Sequence, residues 1–157
     1  DPQTLNIGRC RMKASRGATG RVFVIRLHDG DTLPDCIEKF AHSEGISAGM
    51  CILIGGIEGG SIVAGPEDAE SRPVNPILVG LEGVHEVFGV GTLFPDAGGM
   101  PRLHMHASFG RRETSLCGCI RPGIDVWKIA EVILLEIEVP GARRVADRST
   151  GFEVLEP

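Results

Sequence analysis

Aromatic residues are scarce in this chain: 4% of 157 residues, with one Trp and no Tyr. Its core must therefore be filled mostly by Val, Ile and Leu. The 22 glycines point to tight turns and close backbone approaches. No run of about 18 apolar residues occurs, so no membrane-spanning helix is expected. The first twenty residues lack the apolar stretch of about 7–15 residues that marks a secretory signal. Five cysteines are present, an odd number without framework spacing. That argues against a disulfide-stapled scaffold and suits a reducing, cytoplasmic setting.

Charge is unevenly distributed. Residues 1–21 carry Arg9, Arg11, Lys13, Arg16 and Arg21 against Asp1, a balance of +4. The remainder carries 11 basic and 20 acidic residues, a balance of −9. An acidic body repels phosphate backbones. Any contact with DNA would fall to Arg9, Arg11, Lys13 and Arg16, and the alternative is a solvated leader. Residues 1–20 are read as a flexible basic arm and residues 21–157 as a single domain.

Hydrophobic patterning predicts a strand-rich fold. Val22–Ile25 form a strand ending at an Asp-Gly turn. One helix is expected over about 32–44, with Asp31 or Thr32 as cap, Pro34 in its first turn and Gly45 as its stop. Ile52–Ile54 precede two Gly-Gly pairs, which predict a kinked or bulged strand; no helix or Lys follows to make a phosphate loop. Strands are also expected over Ile77–Leu81, His85–Phe94 and the β-branched segment "IDVWKIAEVILLEIEV", with "GFEVL" as a short edge strand. Short connections favour antiparallel pairing, giving an α/β (α+β) fold on a mainly antiparallel sheet.

Chemistry concentrates in "RLHMHASFGRRETSLCGC". Residues two apart on a strand share a face, so His104 pairs with His106 and Cys117 with Cys119. A four-residue turn at Gly110–Glu113 would set His106 opposite Cys117 and His104 opposite Cys119. All four side chains then cluster on one face, as a tetrahedral zinc site requires. A one-residue slip would separate them. The same pattern fits two hydrogen-bonded imidazoles beside small buried thiols. His28, His42 and His85 are lone histidines, read as structural or exposed.

In "RVFVIRLHDGDTLPDCIEKFAHSEGISAGMCILIGGIEGGSI", "EVFGVGTLF", "RLHMHASFGRR", "CGCIRPG" and "AEVILLEIEV" the chain resembles the plants-and-prokaryotes-conserved (PPC) domain, stand-alone prokaryotic type. The resemblance spans roughly residues 20–140. It implies an α/β fold on a mainly antiparallel sheet and assembly as a homotrimer. Prokaryotic members carry a His-x-His strand followed by Gly-Gly-His, taken to hold a metal. On that pattern His104 and His106 match the first pair, Cys119 takes the third ligand's place and Cys117 matches a glycine. Three ligands leave an open position, whereas Cys117 as a fourth would close the site. Plant relatives of the domain bind DNA through AT-hooks, but this arm has no Arg-Gly-Arg-Pro.

Three functions follow as expectations. The first is a cytoplasmic, metal-binding homotrimer, holding zinc or another divalent transition metal, with a binding or regulatory role. The second is a metal-dependent hydrolase or lyase acting on a small molecule, with Glu113 or Glu86 as base. The third is a DNA-binding protein using the basic arm.

Overall fold

The computed structural model describes residues 3–7 and 10–157, with side chains from Arg11 onward. Two strands, β1 (Gln3–Ile7) and β2 (Cys10–Ala14), pair with each other. Then come β3 (Ala18–His28), β4 (Thr32–Leu33), α1 (Asp35–Ser43), β5 (Gly49–Glu58), β6 (Ser61–Pro66) and β7 (Pro76–Gly80). The chain continues through β8 (Val84–Pro95), β9 (Pro101–Arg111), β10 (Thr114–Ile120) and β11 (Ile124–Glu138). It ends in β12 (Arg143–Asp147) and β13 (Phe152–Glu156), a second separate pair. The main sheet runs β3-β11-β5-β8-β9-β10-β6-β7, with β4 also on β11, and every pairing is antiparallel. The mainly antiparallel fold with one helix is as expected. No helix of the described residues is long and apolar enough to cross a membrane.

One sheet face is the core. Alternate residues Leu53, Ile57, Leu93, Met105, Phe109, Val132 and Leu134 are buried there with Ile37 and Ala41 of α1. Burying each such large aliphatic side chain is worth roughly 1.5–3 kcal/mol. The helix starts later than about 32. Thr32 and Leu33 are taken up by pairing with β11, and the Thr32 hydroxyl donates to Asp125 instead of capping. Asp31 accepts from the His28 N–H, and Pro34 stands at the helix start without a side-chain cap.

The predicted glycine kink is a close crossing. The β11–β5 register shifts between Val126 and Ala130, where Lys128 adopts φ 64° and its N–H donates to Asp29. Gly55, at φ 145°, faces this bulge, and a Cβ there would stand 2.5 Å from the Ala130 Cα and the Ile129 carbonyl oxygen. Only glycine fits.

Two further strand pairs lie at the ends. The basic arm contains the β1–β2 ladder, and Lys13 of β2 pairs with Glu156 of β13 at 2.6 Å. The segment "GFEVL" forms a strand, as expected, within β13, where Val154 pairs with Val145 of β12.

Across β3 and β11, Glu136 accepts from Arg21 through Nε (2.7 Å), Nη2 (3.0 Å) and the backbone N–H (3.0 Å). These hydrogen bonds hold its carboxyl at about 2, below the ordinary 4.5. A depressed carboxyl stabilises the fold above its ordinary pKa and loses that contribution as pH falls through the folded one. Glu136→Gln is therefore expected to destabilise the chain at neutral pH. The gap should shrink from about pH 4.5 toward pH 2, as followed by urea unfolding at a series of pH values. A gap independent of pH would contradict the pairing.

Candidate metal centre

The side chains of interest stand on the face of the sheet opposite the core. On β9, Met105, Ala107 and Phe109 point inward and are buried, while His104 and His106 point outward and are exposed. The hairpin to β10 closes with two residues, Arg112 and Glu113, because Arg112 takes φ 55°. The register therefore differs from the expected one. Cys119 lies opposite His106, and Cys117 lies opposite Ser108. The offset is two residues, so every side chain keeps its expected face. Gly118 between the cysteines lets β10 lie against β6, since a Cβ there would collide with the Val63 carbonyl.

His104, His106 and Cys119 come together. The two Nε2 atoms are 3.1 Å apart, with rings at 76°, and all three donor atoms lie within 4.8 Å of one another. Partial burial, then the positive charges of His106, Arg144 and Arg121, push the His104 pKa down. Its imidazole is thus kept neutral, the form that binds metals. Cys117 is exposed and stays outside this trio. The remaining histidines are structural or exposed, as expected. His85 is buried with Nδ1 2.9 Å from the Gly83 carbonyl, while His28 and His42 lie at the surface.

Two arginines border the trio. Arg121, just past β10, donates through Nη1 to the Cys119 sulfur at 3.1 Å. Arg144 of β12 is 8% exposed and donates through Nη2 to the carbonyl and hydroxyl of Thr92, both at 3.3 Å. Thr92 is the cross-strand partner of His104. Sequence reasoning found neither arginine. Arg121 could have been suspected from its place two residues after Cys119. Arg144 left no local trace, since a distant hairpin delivers it.

Neither proposed base is near. Glu86 is opposite Gly110, four residues along β8 from the partner of His106, or about 13 Å. Glu113 sits in the hairpin turn, six residues from Cys119, or about 20 Å at the usual strand rise. The arm residues Arg11, Lys13 and Arg16 are exposed, with Lys13 bound to Glu156; Arg9 lies outside the described residues.

The thiols differ sharply in environment. Burial pushes Cys51 up to about 12 and, with the charge of Asp31, Cys36 up to about 11. Alkylation of the native chain at mildly alkaline pH should modify exposed Cys117 and spare Cys36 and Cys51 until unfolding. Peptide mass spectrometry reads the order, and early labelling of Cys51 would contradict this packing.

Among curated proteins, no sequence matches the chain significantly. Several solved structures share its fold. A metal-containing protein from Archaeoglobus fulgidus superposes with TM-score 0.81 at 22% identity, over 93% of this chain and 100% of its own. A plant- and prokaryote-conserved (PPC) protein from Pyrococcus horikoshii gives 0.79 at 23%, over 93% and 98%. A candidate DNA-binding protein from Bacteroides thetaiotaomicron gives 0.71 at 14%, over 89% and 96%. At these identities the likeness is one of fold. The model of the Plants and Prokaryotes Conserved (PCC) domain matches residues 14–138, most of the chain, including both histidines and Cys119. This chain belongs to that family.

Proposed function

We propose that this chain is a zinc-binding homotrimer with a binding or regulatory role. His104 Nε2, His106 Nε2 and Cys119 Sγ hold the ion. The convergence of these three donors carries the reading. Two imidazole nitrogens on one tetrahedral zinc, each at about 2.0–2.1 Å, stand about 3.3 Å apart. Here they are 3.1 Å apart. A mixed imidazole and thiolate set suits zinc better than a hard cation such as magnesium. A reducing cytoplasm would keep the thiol available. The Archaeoglobus protein of the same fold is described as metal-containing, in keeping with this reading.

The trimer draws support from the outer sheet face. Val24, Ile133, Ile52 and Val90 are consecutive cross-strand partners that lead directly to His106. Phe88 and Ile54 form the next row. Val24 is 83% exposed and Phe88 63%. A contiguous apolar sheet face of this kind marks an interaction surface. Closed symmetry with further copies would cover it.

The enzyme reading has one observation in its favour, the three-ligand set with room for a fourth group. Neither Glu86 nor Glu113 lies beside the trio. The DNA reading rests on an arm whose Lys13 is engaged by Glu156.

Metal analysis tests the centre. The purified chain should carry about one zinc per chain. His104→Ala and Cys119→Ala should lose most of it, and Cys117→Ala should retain it. Equal zinc in the wild type and His104→Ala would overturn the assignment. Light scattering tests the assembly. The wild type should show three times the 16.7 kDa chain mass, and Val24→Asp with Phe88→Asp should shift it toward one chain. A monomeric wild type ends that part of the proposal.

A further inference from the structure

Arg144 is an unusual buried cation. Its side chain comes from β12, beyond the residues matched by the family model. It is 8% exposed, lies against the Phe94 ring at 5.9 Å, and uses Nη2 to reach Thr92. Among the described residues, no carboxylate lies within ion-pair distance of it; the charge of Glu153 acts on it from further away. A buried guanidinium without a counter-ion is costly, and its planar fork of donors suits a carboxylate or a phosphate. Arg121, which also has no carboxylate partner among the described residues, aims Nη1 at Cys119.

Charge bookkeeping makes the demand explicit. A divalent ion on two neutral imidazoles and one thiolate leaves +1. The two guanidiniums raise the local sum to +3, and Glu153 brings it back only to +2. A neutral fourth ligand would leave that charge uncompensated.

Resting on the metal reading, we propose that the centre recognises an oxyanion, a carboxylate or a phosphate. The guanidiniums of Arg144 and Arg121 would hold its oxygens, beside an ion held by His104, His106 and Cys119. Guanidinium favours such groups because its forked N–H donors match two oxygens at once. The C-terminal β12–β13 hairpin is then part of the binding site.

The test uses the full chain loaded with Co²⁺, whose visible bands report changes at the metal. Metal content is measured first, in the wild type, Arg144→Gln and Arg121→Gln, together with thermal unfolding. Inorganic phosphate and acetate are then titrated, with acetamide as the neutral control. The expected result is a saturable spectral change with phosphate, acetate or both, and none with acetamide. The anion that responds identifies the class. Arg144→Gln should hold cobalt like the wild type, and each variant that holds cobalt should bind that anion about 10- to 100-fold more weakly. Arg121→Gln keeps the test open if Arg144→Gln unfolds. If metal loads and no anion changes the spectrum, the oxyanion proposal fails while the metal reading stands. A carboxylate supplied by a neighbouring copy would give that result. Unweakened binding in a folded variant that holds cobalt also overturns it. If no metal loads, both readings fall.

Discussion

The alternation of side chains across an antiparallel ladder governs this molecule. From β11 through β5, β8 and β9 to β10, neighbouring strands are directly paired over long stretches. Residues facing one another then share a side of the sheet. One side takes Leu53, Met105, Phe109 and Leu134 into the core with α1. The other side must then carry Val24, Ile133, Ile52, Val90, His106 and Cys119 in a line. The core and the candidate centre are two readings of one register. The helix covers only the core side, so the outer side is left for chemistry and for partners.

That line also explains how an exposed set of donors can become a defined site. His106 ends a run of aliphatic partners, and His104 stands beside it opposite Thr92. Arg144 approaches this end of the face from the C-terminal hairpin, while Arg121 approaches from the end of β10. The donors therefore have apolar surface on one flank and cations on others. Removing water from such a place strengthens every charge interaction within it. Covering the apolar flank with another copy would do this without moving a ligand.

Much of this was legible in the sequence. The period-two pattern located the strands around His104, Cys119 and Ile133, because apolar alternation is dictated by the buried face itself. The face shared by the histidines and Cys119 was also legible, although the register was wrong. A turn of two residues instead of four slides the pairing by two, and parity survives that slip. What was lost is the partner of each residue. His106 meets Cys119, so Cys117 is carried away to Ser108 and out of the trio. The helix start was hidden because Thr32, a good cap by composition, is claimed by Asp125 about ninety residues later. Arg144 was hidden for a like reason. Its role depends on where a separate hairpin packs, and no local pattern encodes that.

The cysteine in the third position bears on what the centre does. A thiolate gives more charge to a divalent metal than an imidazole does, so the ion binds more firmly and pulls less on whatever fills its open side. Hydrolytic chemistry wants the opposite, together with a carboxylate placed to take a proton. Glu86 and Glu113 are too far along the ladder to serve, and the groups that do border the trio are guanidiniums, which donate hydrogen bonds and accept none. A thiol in the donor set and guanidiniums at its border favour holding an anion, in keeping with the reading proposed above. The chemistry of residue 119 and of its two arginine neighbours is what supports the proposed binding or regulatory role.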